Sequence, residues 1–288
     1  NRSADYIIIT EKSFLQSATE YQKFISNSYR LKTQLVFTED IYDEYSYGML
    51  TAESIKEFLK YAYNNWLSPK PSYLLIIGDA NYDYKDVHTP VPSIRKKNFV
   101  PSFGSPVSDV WFTVFDDTNI PTSQMYVGRI PAMNNEQVFF YLNKHKNYIK
   151  KDFDIWNKSY LLFSGGDTQK PSELAQIKKV NDDINNRYIL PKPIGGSSKH
   201  FYKTIKPSSN FGDYSTEEIK NAIESGAVII SYVGHSGTQT WDNGITKVED
   251  LKNNYPDRNP LVSDFGCSTG KFAEPDIDAF GELFINGS

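Results

Sequence analysis

Tyr73-Leu74-Leu75-Ile76-Ile77-Gly78 is apolar on both of its alternating faces, the pattern of a strand covered on each side rather than of one with a wet face. What lies before it decides the reading. Thr51-Ala52-Glu53-Ser54 offers an N-cap with an acid behind it, and Ile55, Phe58, Leu59 and Ala62 then mark one buried helical face. Further back, Tyr6-Ile7-Ile8-Ile9-Thr10, an amphipathic stretch from Phe14 to Tyr29, and Leu35-Val36-Phe37 run through the same alternation. Strand, helix, strand, helix, strand implies parallel neighbours joined by helical crossovers, so an α/β fold in which helices cover a parallel sheet is expected.

Working outward, the pattern breaks between Gly78 and Gln124 into a Pro- and Asp-rich segment holding His88, Pro90, Pro92, Pro101, Pro106 and the pair Asp116-Asp117. A loop of that length is functional or disordered. Met125-Tyr126-Val127-Gly128-Arg129 restores a strand, a helix follows over about 135–149, and Lys150-Lys151-Asp152 reads as a surface linker. A second alternation starts there, with Tyr160-Leu161-Leu162-Phe163, a helix from Ser172 to Arg187, Phe201-Tyr202 and a helix from Thr216 to Ser225. Two strands ending at His235 and Cys267 complete it. We therefore expect two packed parallel-sheet α/β subdomains, 1–151 and 152–288. Only 21 residues (288 − 267) follow Cys267, enough for a helix through Phe280, Leu283 and Phe284 but not for a strand to cover it. The reading expects a second subdomain truncated at its C-terminal end, and further domains of a longer polypeptide on both sides.

A chain of 288 residues with 39% hydrophobic content can bury a full core. Its net charge of −4 supplies no phosphate-neutralising footprint, which argues against a nucleic-acid partner. The densest basic cluster, Ser93-Ile94-Arg95-Lys96-Lys97, reads as a solvated loop. A single cysteine rules out an internal disulfide framework, and the four histidines show no zinc-ligand spacing. Apolar runs stop near seven residues, against the roughly 20 needed to span a bilayer, and any signal peptide lies outside this chain.

The chemistry-bearing residues sit at two strand ends. Ala227-Val228-Ile229-Ile230-Ser231-Tyr232-Val233 runs into Gly234-His235-Ser236-Gly237, and Pro260-Leu261-Val262-Ser263-Asp264-Phe265-Gly266 runs into Cys267-Ser268-Thr269-Gly270. Ligands of open parallel sheets bind outside the carboxyl ends of the strands. Two neighbouring strands would there deliver a thiol and an imidazole. A cysteine attacks as its thiolate, and a nearby histidine can take the proton. Gly234 and Gly266 permit sharp exits from the strands, and the small residues after each reactive group leave backbone N–H donors for a substrate carbonyl oxygen. The alternative, a small core cysteine and a satisfied histidine, stands beside this reading.

Taken together, the strand ending Ile77-Gly78-Asp79, Ser108-Asp109-Val110-Trp111-Phe112, Tyr126-Val127-Gly128-Arg129-Ile130, Tyr232-Val233-Gly234-His235 and Phe265-Gly266-Cys267 with Gly270 and Phe272 resemble the gingipain-type cysteine peptidases. That family shares its three-layer fold plan with caspases. Ile41-Tyr42-Asp43-Glu44-Tyr45-Ser46-Tyr47-Gly48 and Trp66 look closer to the branch that removes C-terminal sorting signals in type IX secretion. The resemblance implies Cys267 as nucleophile and His235 as general base and acid, with the amides of Ser236, Gly237 and Cys267 as the oxyanion site. The chain departs from the gingipain pattern Gly-His-Gly-Ser at Ser236-Gly237, where a side chain could narrow the approach of substrate. The resemblance also implies one acid beside the histidine and one lining a pocket for a basic residue. Asp167 and Glu173 are the nearest matches, a loop aspartate and a first-turn helix glutamate being the plainer reading of each. Asp109 and Asp79 are further acids that could orient the histidine or bind calcium, or else serve as core-edge and capping groups. Asp116 and Asp117 read as turn residues or as ligands of a structural calcium ion.

The function expected is that of a cysteine endopeptidase acting on protein or peptide substrates, after basic residues or as a sorting-signal peptidase, from a secreted or bacterial outer-surface location. Its chemistry requires no cofactor. Release of the acyl group to water would make it a protease, and release to an amine a transpeptidase. The alternative is a catalytically silent relative that binds a peptide or protein in the same crevice. A nucleotide-binding domain ranks below both, because no Gly-rich phosphate loop follows any early strand.

Overall fold

The strands expected from the apolar runs pair in two separate sheets. The computed structural model describes residues 2–85, 87–88, 91–116, 121–206, 212–242 and 258–286. The chain divides into two compact units, one formed by Asn1–Leu142, Lys271–Ile277 and Ile285–Ser288 and the other by Asn143–Gly270 and Asp278–Phe284. The division falls inside a helix, Asn135–Lys150, whereas the sequence reading set it after that helix. Val138 and Leu142 explain the difference, since both are buried in the core of the first unit.

In the first unit, β1 (Tyr6–Thr10), β2 (Thr33–Phe37), β3 (Tyr73–Ile77) and β4 (Tyr126–Ile130) form an all-parallel sheet in the order β2-β1-β3-β4. Ile7, Ile8 and Ile9 are completely buried, as a strand covered on both faces requires. The helices are α1 (Leu15–Tyr29), α2 (Thr38–Ser46), α3 (Ala52–Asn65) and α4 (Asn135–Lys150). The Thr51 hydroxyl accepts the Ser54 N–H at 3.2 Å, so α3 carries the N-cap expected of it. Between β3 and β4 the described residues hold only short 3-10 turns, at Pro92–Ile94 and Asp109–Thr113.

In the second unit, β5 (Ser159–Ser164), β6 (Ser197–Tyr202), β7 (Ile229–Val233) and β8 (Leu261–Phe265) form a second parallel sheet in the order β6-β5-β7-β8. It is accompanied by α5 (Pro171–Ile184), α6 (Thr216–Glu224) and the greater part of α7 (Phe280–Asn286). Leu161, Phe163, Phe201, Ile219, Ile230, Tyr232, Trp241 and Phe280 make its core. The α/β architecture, two four-stranded parallel sheets each with its own helices, is the one the alternation implied. No helix among the described residues is long and apolar enough to cross a membrane.

One expectation is overturned by burial. Lys96, read as part of a solvated basic loop, has a side chain only 7% exposed and pairs at 2.8 Å with Asp79, which is fully buried. Asp79 also accepts the Ala80 N–H just beyond β3 at 2.8 Å, and an unpaired carboxylate would be far costlier in that setting than an ion pair.

Candidate active site

Strand order sets the place. The chain goes from β5 outward to β6, returns to β7 on the other side of β5, and then adds β8. The carboxyl ends of β5 and β7 therefore flank the crevice created where the winding reverses. Val233 of β7 pairs with Phe265 of β8, and His235 and Cys267 are each the second residue beyond that pair. Adjacent strands run about 4.8 Å apart, so the two reactive groups leave the sheet side by side. Cys267 is exposed, and the His235 side chain is 60% exposed.

Both exits are glycines because of crowding rather than bending alone. A Cβ on Gly234 would lie 2.7 Å from the Tyr232 hydroxyl and 2.8 Å from the Gly165 Cα, and one on Gly266 would collide with the Ser236 hydroxyl. A larger residue at 234 would push the exits of β5 and β7 apart, and one at 266 those of β7 and β8.

The imidazole has a defined partner. His235 Nε2 lies 2.7 Å from Glu173 Oε1, which also accepts the Asp167 N–H at 3.0 Å. With Nε2–H donating to the carboxylate, Nδ1 keeps the lone pair that can take a proton. Glu173 is held below the usual carboxylate range, first by the Asp167 amide and then by His235, and its position in the first turn of α5 favours the same ionised form. Of the two acids the resemblance suggested, Glu173 meets the histidine. Asp167 instead accepts the Gln169 N–H at 2.9 Å and pairs with Lys170 at 3.4 Å. The Gln169 amide is the main reason its carboxyl also lies low. The other histidine of this sheet, His200, is a satisfied group, held by the Ser164 hydroxyl at 2.8 Å and by Asp182 at 3.0 Å.

The thiol's own loop is tied down through its backbone. The carbonyl of Cys267 accepts the Ser236 hydroxyl and, at 2.8 Å, the Thr269 N–H. Ser268 between them takes a left-handed φ of 63°, a conformation non-glycine residues keep only when their surroundings enforce it. Of the three amides proposed for an oxyanion site, that of Gly237 is not available: it donates to the Thr240 carbonyl at 2.9 Å. Those of Ser236 and Cys267 remain candidates.

Four supporting residues were not singled out from the sequence. Asp264 accepts the Gly266 N–H at 2.7 Å and the Trp241 Nε1–H at 2.6 Å. Trp241 is stacked between Tyr232 (4.6 Å) and Phe280 (5.0 Å). The Tyr232 hydroxyl donates to the His235 carbonyl and accepts the Asp242 N–H at 3.1 Å, its pKa raised by burial. Asp242 receives the Gly166 N–H at 2.7 Å and pairs with Lys203 at 2.6 Å in a nearly buried setting. A large aromatic followed by an acid, six and seven residues beyond the histidine, was the available signal.

The remaining sequence candidates have other partners in the first unit. Asp109 is engaged bidentately by Arg129, at 2.7 and 2.8 Å, and Arg129 also reaches the carbonyls of Gly78 and Val100 at 2.8 Å. It is a core-edge acid, not an orienting group with a free oxygen. Asp79 has Lys96 as its counter-charge. Asp116 is exposed, and Asp117 lies outside the described residues.

A family model described as Peptidase family C25 matches residues 1–287. No curated protein matches the sequence. Among solved structures, the complex of Porphyromonas gingivalis RgpB pro- and mature domains aligns with a TM-score of 0.70 at 18% identity, covering 98% of this chain and 60% of that one. The Arg specific cysteine proteinase gingipain R aligns at 0.69 with 19% identity, covering 99% of this chain and 59% of that one. A structure described only as a protease gives 0.72 with 18% identity, covering 98% and 56%. At such identities the likeness establishes the fold. The chain spans between 56% and 60% of the length of these proteins.

Proposed function

The chain belongs to peptidase family C25, the gingipain family of cysteine peptidases, and from that premise we propose that it cleaves peptide bonds by acyl transfer to Cys267. His235 takes the thiol proton, and the thiolate attacks the substrate carbonyl carbon. The carbonyl oxygen becomes an oxyanion facing the Ser236 and Cys267 amides. As the C–N bond breaks, His235 returns the proton to the departing amine. Water, deprotonated by the same imidazole, then releases the acyl group and restores the thiol; an amine in its place would complete a transpeptidation. Glu173 orients His235 and favours the imidazolium that pairs with the thiolate. The observation that carries this reading is the 2.7 Å contact of Glu173 with His235, at the strand exit next to that of Cys267.

The substrates in this reading are proteins or peptides met outside the cytoplasm, in line with the surface-acting relatives the sequence resembles. Neither acid supports a preference for Arg or Lys, because Glu173 faces His235 and Asp167 pairs with Lys170.

The test is alkylation of Cys267 by iodoacetamide between about pH 5 and 9, in the natural chain and in His235→Ala, with peptide cleavage followed in parallel. Fast labelling at mildly acidic pH that is lost with His235, and turnover abolished by Cys267→Ala, are expected. An ordinary thiol profile that ignores His235 would refute the activated pair and leave a silent peptide-binding relative.

A further inference from the structure

A cavity of about 580 Å³ opens at the carboxyl end of β6, against the first two turns of α5. Its walls are mostly apolar. Pro171, Leu174 and Ala175 come from α5, and Thr204, Ile205 and Lys206 follow β6. Leu174 is the residue next to Glu173, so one wall continues directly from the group that holds His235. Ile205 leaves 56% of its surface in water beside that wall. The Thr204 hydroxyl is buried and has no hydrogen-bond partner among the described residues. A buried hydroxyl without a partner is uncommon.

We propose that this cavity is a substrate subsite that takes a large apolar side chain, of Leu, Met or Phe size, about four residues from the scissile bond. The proposal rests on the reading of Cys267 and His235 as the reaction centre. Strand order gives the distance. From Cys267 at the end of β8, the path to the cavity crosses β7 and β5 to reach β6, three strand spacings. That is roughly 14 Å, the span of about four residues of extended peptide. The occupant is extended and peptidic because it must lie across the strand ends to reach Cys267. It is apolar because the walls offer Pro171, Leu174, Ala175 and Ile205, and the unpartnered Thr204 hydroxyl lies in the same lining. Of the three lysines in the lining, Lys178 pairs with Asp182 at 2.7 Å and Lys203 with Asp242 at 2.6 Å, and Asp213 sets a negative charge against the third, Lys206, so the lining holds little positive charge for an acidic side chain.

The test is binding of labelled octapeptides to the Cys267→Ala chain, with a single Phe or Asp moved through every position. Transfer of a side chain of that size out of water is worth roughly a factor of ten to a hundred in affinity. At least tenfold tighter binding of Phe over Asp is expected at one position three to five residues from the bond that the natural chain cleaves, or from the best-bound central residue if it cleaves none. Ile205→Asp, a change at an exposed residue, should erase that preference and leave the pH profile of Cys267 labelling unchanged. Thr204→Val should weaken every peptide long enough to reach the cavity, and no shorter one. Cleavage with no preference beyond the two residues flanking the bond would overturn the subsite while sparing the peptidase reading. A preference that survives Ile205→Asp would also overturn it. Selective binding without cleavage would keep the subsite and sink the peptidase reading.

Discussion

Replacing Trp241 by Phe should weaken the second unit by about 2.5–4 kcal/mol. The indole is 1% exposed, and a Phe keeps its place between Tyr232 and Phe280. What is lost is the Nε1–H donated at 2.6 Å to Asp264, and hydrogen bonds to a charged acceptor contribute about 1.5–3 kcal/mol. The missing ring atoms leave a void worth roughly 1 kcal/mol more. Asp264 keeps the Gly266 N–H at 2.7 Å, so the loop before Cys267 should loosen rather than unravel. Guanidinium unfolding followed by far-ultraviolet circular dichroism measures the loss, and a cycle with Asp264→Asn isolates the pair. A coupling of about 1.5–3 kcal/mol is expected if the indole and the carboxylate act together. Additive losses, or a Trp241→Phe cost under about 0.5 kcal/mol, would show that Asp264 is held by something other than the indole.

Other perturbations address the site and the buried pair. Glu173→Gln keeps the shape of the contact but removes the charge that favours imidazolium. The labelling profile of Cys267 should move to higher pH and kcat/KM should drop on the order of tenfold, the low end for a disturbed acid–base group because the pair is exposed; an unmoved profile would remove Glu173 from the mechanism. Ser236→Ala takes away one of two donors to the Cys267 carbonyl. Hydrogen exchange at Thr269 should speed up by roughly tenfold, with Ser236→Thr restoring protection. Asp79 is pushed up to about 6, chiefly by burial and against the pull of Lys96. Its folded pKa therefore lies above the 3.8 of an ordinary aspartate, so the native state holds the proton more tightly. That contribution to stability is complete below about pH 4 and is lost as the pH rises through 6. Unfolding midpoints of Asp79→Asn, subtracted from those of the natural chain, should show that slope; a difference that is flat between pH 4 and 7 would contradict it.

Legibility followed burial. Tyr73–Ile77 and Tyr6–Thr10 announced themselves because strands covered on both faces are apolar at every position, and that pattern has few competing explanations. β6, Ser197–Tyr202, is an edge strand with Ser, Lys and His outside its last two residues, so only Phe201-Tyr202 was visible as a strand. α2 was missed entirely. It begins immediately after β2 with no side-chain cap, and its acids Glu39 and Asp40, favourable to a helix N-terminus, were the weak signal left.

The same logic explains the site. Its reactive residue types were readable because Gly-His and Gly-Cys each close an apolar run, and that juxtaposition is local. The choice between Asp167 and Glu173 was not, because it depends on where α5 starts relative to the exit of β7, 62 residues away in sequence from the carboxylate to the imidazole. A parallel sheet separates its functional neighbours by whole crossovers, so each partner of His235 arrives on a different strand-to-helix turn. Asp167 and Glu173 look equally suitable until the α5 turn is built: Asp167 then turns its carboxylate to Gln169 and Lys170, while its backbone N–H fixes Glu173 against the histidine. The aspartate that looked like a rival for the role thus holds the glutamate in it, and only its main chain does so, which is why no side-chain pattern could have revealed it.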